Sequence, residues 1–149
     1  MGPHTVTRSH TDVKNLAYGV CAAVALGAEG SFDYEHGGHL VLEDCKLIFE
    51  CPHGTVTLFP SGSVRHKNIP IRENELRRSI TLYSAAGLFR WYDLNDQTVG
   101  KAYPTSAEES QYKRGGLGRW RKACDTRLTV DELAVYLQGM VDASNVVAG

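Results

Sequence analysis

Apolar residues fall in short runs divided by glycine, proline and acidic turns, and the rhythm of these runs changes after residue 93. The first zone starts with LAYGVCAAVAL (16–26) and the turn-rich GAEGSFDYEHGG. HLVLEDCKLIFE, the tight CPHG and TVTLFP follow, and after SGSVRHKNIPIREN come LRRSITLY and GLFRWY. Short strands with turn signals at this spacing predict an antiparallel sandwich or barrel. In TVTLF a period of two puts Thr55, Thr57 and Phe59 on one face and Val56 and Leu58 on the other. Pro52 and Gly54 mark a tight connection before it, and Glu43 and Asp44 are expected to cap a hairpin. Phe59, Phe89 and Trp91 are expected as core or rim aromatics.

Residues 94–149 follow a helical period instead. TSAEESQYKR can start on Thr105 or Ser106 as N-cap, with Glu108 and Glu109 in the first turn, where acidic groups suit the helix dipole. GGLG is expected to break that helix. In TVDELAVYLQGM, Thr129 and Glu132 have capping-box spacing, while Val130, Leu133, Val135, Leu137 and Met140 supply an apolar surface. The last residues, DASNVVAG, are expected to fray. The organisation expected is a β core over 1–93 and a helical extension over 94–149 packed on it.

With 149 residues, 42% hydrophobic and 22% charged, the chain is long enough for one domain with a substantial core. A net charge of −1 gives no overall positive field, so any nucleic-acid contact has to be local. No apolar run is long enough to cross a bilayer, and MGPHTVTRSHTD lacks a secretory profile, which points to an intracellular protein. Cys21, Cys45, Cys51 and Cys124 show no CxxC spacing and are expected as free thiols, with Cys21 a small buried hydrophobe.

Candidate chemistry begins at RSHTDVKN. If residues 8–12 are extended, His10 and Asp12 face the same way and can converge on one point. On its own, His-x-Asp is also what a polar turn beside a surface histidine looks like. His66, after the strand and turn LFPSGSVR, can supply a third ligand. Two histidines and one carboxylate with open positions form the facial triad of a non-haem Fe(II) oxygenase. Such an iron takes a co-substrate with two carboxyl ends, the distal one held by a fixed arginine. Arg77 and Ser79 share a strand face and can grip that carboxylate together, whereas Arg78 points away.

The combined pattern resembles the Fe(II)/2-oxoglutarate dioxygenases. HTDVKNLAYGVCAAVALG, GGHLVLEDCKLIFECPHGTVTLFPSGSVRHKN and ELRRSITLYSAAGLFRW are similar to a fungal group of Tet/J-binding-protein-like oxygenases over roughly residues 8–93. The resemblance implies a mainly β fold, the cupin-like double-stranded β-helix or jelly-roll, with C-terminal α-helices. It assigns His10, Asp12 and His66 to iron and Arg77, assisted by Ser79, to 2-oxoglutarate. Asn15 is expected to line the site or brace a ligand, or else to bond the turn backbone. The implied reaction is hydroxylation of a C–H bond, such as the methyl group of 5-methylcytosine or thymine in DNA or RNA, and hence a nuclear location. Relatives carry a long segment before His-x-Asp where this chain has nine residues, so an exposed edge and apolar surface are expected.

Other groups offer less. His36, His39 and His53 adjoin turns, and with Asp33, Asp44 or Cys45 they show no standard ligand spacing. QYKRGGLGRWRKACDTR carries Lys113, Arg114, Arg119, Arg121, Lys122 and Arg127 around Tyr112 and Trp120. It is the local candidate for phosphate contact with base stacking, or else a solvated helix–loop face. The alternative to an enzyme is a truncated, non-catalytic β-barrel module.

Overall fold

Strand β1 (Cys21–Leu26) has β4 (Val56–Phe59) on one side and β6 (Arg78–Leu82) on the other, both antiparallel. A second antiparallel sheet places β2 (Leu40–Leu42) between β3 (Leu47–Phe49) and β5 (His66–Asn68). This structure, a computed structural model, describes residues 4, 6–125 and 127–147, with residues 141–147 as helical backbone. The helices are α1 (Ala86–Asp93), α2 (Val99–Ala102), α3 (Ser106–Arg114), α4 (Gly116–Cys124) and α5 (Val130–Val147). Among the described residues none is long and apolar enough to cross a membrane.

The expectation of a mainly β fold therefore needs correcting. More of the described chain is helical than extended, and the architecture is two three-stranded antiparallel sheets with helices. GLFRWY, read as a strand, lies in α1. A short apolar run does not distinguish helix from strand by its period. Here Leu88 and Trp91, and Phe89 and Tyr92, stand three apart on one helical turn. The helix stops where the Leu94 N–H bonds back to Arg90 and Trp91 and where Asn95 and Asp96 turn left-handed, at φ 51° and 60°. Phe89 and Trp91 are exposed and belong to no core, while Phe59 is buried as expected.

The chain forms two compact units, Met1–Glu109 and Ser110–Gly149, whereas the sequence changes character at residue 94. In the first unit, Thr105 caps α3 as expected: its hydroxyl accepts the Glu108 N–H at 3.3 Å and the Glu108 carboxylate accepts the Thr105 N–H at 3.1 Å. In the second, the glycine run breaks the helix as expected: α3 ends at Arg114, Gly115 stands as a turn, and α4 starts at Gly116. Thr129 and Glu132 form the expected capping box on α5, which runs as helix to Val147, and residues 148 and 149 lie outside the described residues. In α5, Val130, Leu133, Val135, Tyr136, Leu137 and Met140 are exposed.

Alternation in the strands sets up the site. Cys21, Ala23 and Ala25 point inward from β1, and their register sets Cys21 opposite Phe59, Ala23 opposite Thr81 and Ala25 opposite Ser79. The opposite face of that sheet presents Val56, Leu58, Ile80 and Leu82, each more than half exposed. The buried cluster holds Cys21, Ala25, Leu40, Leu42, Cys51 and Phe59. Inward residues as small as alanine and cysteine leave space unfilled, and a cavity of about 520 Å³ lies there, lined by both sheets and by residues 10–15. That volume falls in the range of about 300–1,000 Å³ common for small-molecule sites.

Candidate metal centre

The segment carrying His-x-Asp is fixed by backbone pairing. His10 and His66 exchange N–H···O bonds of 3.1 and 2.9 Å in an antiparallel bridge, and the Asp12 N–H donates to the Ser61 carbonyl at 2.9 Å. Directly opposed residues of such a pair project to the same face. The His10 and His66 rings accordingly lie 4.4 Å apart, with Phe59 edge-on to His66 at 4.9 Å. Alternation along β5 turns His66 and Asn68 inward, while Arg65 and Lys67 reach outward to Asp44 and Glu43 at 2.9 Å each. The Asn68 carboxamide accepts the backbone N–H and the hydroxyl of Thr7, both at 2.6 Å, which ties the amino-terminal segment to β5.

Three expected ligands come together. One ligand atom from each of His10, Asp12 and His66 lies within 4.8 Å of the others. Asp12 Oδ1 is 3.4 Å from His10 Nε2, and Asp12 Oδ2 is 3.9 Å from His66 Nε2. Each imidazole is held from behind, with His10 Nδ1 2.7 Å from the Arg8 carbonyl and His66 Nδ1 3.0 Å from the Val64 carbonyl. A carbonyl only accepts, so both Nδ1 atoms carry hydrogen, and a ring with one hydrogen then aims its Nε2 lone pair inward. Two nitrogen lone pairs and a carboxylate then face one another. Such an arrangement of acceptors calls for a cation, or added protons, between them.

Asn15 braces the carboxylate. Its Nδ2 donates to Asp12 Oδ2 at 3.1 Å and to Ser61 Oγ at 2.9 Å. Ser61 is 1% exposed, as is Cys21. Burial pushes the Cys21 thiol above its ordinary range, against the lowering by Ser61, so it stays neutral beside Asp12. Cys21, Cys45, Cys51 and Cys124 are all free thiols, as expected.

Arg77, Ser79 and Thr81 line the same cavity at a spacing of two, and Arg78 lies exposed on the other face. Among the described residues the Arg77 Nε is buried without a hydrogen-bond partner. Its side chain passes over Gly38, at φ +73°, where a Cβ would come within 2.9 Å of Arg77 Cδ. Sequence reasoning missed Gly38 and Ser61. The GGH turn hinted at the first, and PSG, which reads as an ordinary turn, gave no sign of the second.

Other histidines stay apart from this centre. Gly27 donates its N–H to His53 Nδ1 at 3.0 Å, and His39 Nδ1 is buried without a partner. His36 pairs with Asp33 at 2.9 Å in a group with Glu35 that could also hold an ion. There Asp33 is held below the usual carboxylate range by His36 first and then by Arg72, so the turn satisfies its own charge. Lys113, Arg114, Arg119, Trp120, Arg121 and Lys122 are all exposed on α3 and α4. Arg119 is committed locally: it lies over the Tyr112 ring at 3.9 Å and donates to the Tyr112 carbonyl at 2.7 Å.

Comparison with protein-family models, curated proteins and solved structures finds no match for this chain.

Proposed function

We propose that the chain is an Fe(II)- and 2-oxoglutarate-dependent dioxygenase that hydroxylates a C–H bond, with the methyl group of a modified nucleic-acid base as substrate. The observation that carries this reading is the pairing of two features in one cavity. Imidazole lone pairs and a carboxylate converge at one place, and an arginine with a buried, unpartnered Nε stands in the same wall as Ser79. The donor set fits a divalent transition metal: two neutral imidazoles with fixed tautomers and one carboxylate leave coordination positions open. A zinc hydrolase also uses such ligands, and the choice of iron with 2-oxoglutarate draws on the family resemblance together with the arginine and serine in the same wall.

His10, Asp12 and His66 would hold the iron. When bound, it supplies the oxidative chemistry that couples decarboxylation of 2-oxoglutarate to succinate with hydroxylation of the substrate. Arg77 binds the distal carboxylate of the co-substrate and Ser79 assists. The inward residues Ala23, Ala25 and Leu40 keep water from the reacting groups. The double-stranded β-helix reading draws support from two antiparallel sheets lining one cavity. Lys113, Arg114, Arg121, Lys122 and Trp120 are exposed for contact with DNA or RNA, from which a base must be extruded to reach a cavity. A nucleic-acid substrate in turn places the protein inside the cell, in the nucleus.

Succinate release with Fe(II) and 2-oxoglutarate, with and without methylated DNA, tests the reaction, and mass spectrometry of the recovered bases tests the substrate. Stimulation by methylated DNA together with oxidised cytosine is expected. Succinate without base oxidation moves the substrate to another class, and absence of metal binding removes the enzyme. A second reading, a non-catalytic remnant that binds a partner, draws on the exposed apolar face of Val56, Leu58, Ile80 and Leu82 and predicts metal binding without turnover.

A further inference from the structure

Ser61 does not itself line the cavity, yet it bonds to two residues that do, Asp12 and Asn15. Its carbonyl accepts the Asp12 N–H at 2.9 Å, and its hydroxyl accepts Asn15 Nδ2 at 2.9 Å. A carboxylate only accepts, so Asp12 selects the amide orientation with nitrogen toward it. The Ser61 oxygen then accepts from that same nitrogen, and the reversed amide would set its oxygen against the carboxylate. Close packing keeps this turn in place: a Cβ on Gly62 would lie 3.1 Å from the Leu16 carbonyl oxygen.

We infer that Ser61 is a positioning residue for the metal centre, acting through Asn15 to occupy Asp12 Oδ2 and leave Oδ1 as the oxygen offered to the metal. The inference rests on the proposed metal site. Oδ1 is the oxygen nearer His10 Nε2, at 3.4 Å. A carboxylate bound through one oxygen uses one coordination position where a chelating one uses two, so the orientation set from Ser61 keeps the sphere open. Ser61, Asn15 and Asp12 form a polar chain that starts from a residue 1% exposed and ends on the carboxylate.

Co(II) titration by calorimetry on the full chain tests this, using Ser61→Ala, Asn15→Ala, the double variant and Ser61→Thr. Ser61→Ala should weaken Co(II) binding by about 10–100-fold, the usual effect of losing an outer partner of a ligand. Ser61→Thr, which keeps the hydroxyl, should restore it. The double variant should bind no more weakly than Asn15→Ala alone, since Ser61 acts through that residue. Losses that multiply in the double variant would overturn the role. So would a Ser61→Ala protein that melts earlier without metal yet binds Co(II) as tightly as the unaltered chain. Should Ser61→Ala fail to fold, Ser61→Cys keeps the volume and offers Asn15 a weak acceptor, and unchanged affinity there also overturns the role. An unaltered chain that binds no Co(II) overturns the metal site itself, a result distinct from the failure of Ser61 alone.

Discussion

His10 and His66, 56 positions apart in the chain, exchange both hydrogen bonds of a single antiparallel bridge, and this backbone pairing brings their rings within 4.4 Å. Convergence of the two imidazoles is thus a product of register and does not depend on a bound ion to draw them together. His66→Ala should leave the bridge intact, since it uses only main-chain atoms. Metal affinity should nevertheless fall by more than the ~10–100-fold typical of an outer partner. Circular dichroism and Co(II) titration on the same samples check both halves, and Asp12→Ala should behave alike. Turnover that persists in either variant removes that residue from the triad.

Arg77 and Arg78 are neighbours with opposite surroundings, one lining the cavity and one exposed. Arg77→Ala should raise the 2-oxoglutarate concentration needed for half-maximal succinate release by about 100-fold, in line with the roughly 2–5 kcal/mol lost when one partner of a buried charge pair is removed. Arg78→Ala should leave it unchanged. Arg77→Lys should recover only part of the loss, because an ammonium cannot make the planar paired contact. Equal effects at 77 and 78 would mean that the co-substrate does not bind on the cavity face.

Gly38 and Gly54 form a matched pair for separating backbone strain from crowding. Both have positive φ, +73° and +81°, but a Cβ at 38 would meet Arg77 Cδ at 2.9 Å, and one at 54 would meet nothing within 4 Å. Each alanine variant should lose about 1–2 kcal/mol of stability from left-handed backbone. Only Gly38→Ala should also raise the 2-oxoglutarate requirement, by displacing the arginine. Thermal melts and succinate assays of the two variants decide this, and a co-substrate effect from Gly54→Ala would point to global softening.

The parts of the fold with a period of two were the legible ones. Burial of Phe59 and exposure of Val56 and Leu58 follow from alternation in TVTLF, as does the division between Arg77 and Arg78. The clustering of His10 with Asp12 follows from side chains two apart on extended chain facing the same way. His66 joins them through its place after a strand and turn and through the family resemblance. Neither rule covers GLFRWY, whose apolar positions suit both periods, so α1 was misread as a strand. GGLG breaks the helix as expected, since glycine weakens a helix interior, yet its later glycines are tolerated in the first turn of α4. Ser61 and Gly38 were hidden because their roles arise from contacts across 46 and 39 residues, with Asn15 and Arg77. No local pattern encodes such contacts.

The turn that delivers His66 is clamped from outside by Asp44, which accepts the Arg65 backbone N–H at 2.8 Å and its guanidinium at 2.9–3.0 Å. These bonds, the backbone one first, hold the Asp44 carboxyl below its ordinary value of 3.8. A carboxyl depressed in the folded chain binds fewer protons there than in the unfolded chain. Its stabilisation is therefore complete above the ordinary value and disappears as pH falls through the lower, folded one. Asp44→Asn should accordingly melt earlier than the unaltered chain at pH 7, and the gap should narrow as pH drops below 3.8. Asp44 is exposed, so the effect should be small and should shrink in high salt. Melting temperatures of the two proteins at neutral and acid pH measure the gap directly. A gap that is unchanged in acid would assign the stabilisation to side-chain packing rather than to the charged clamp.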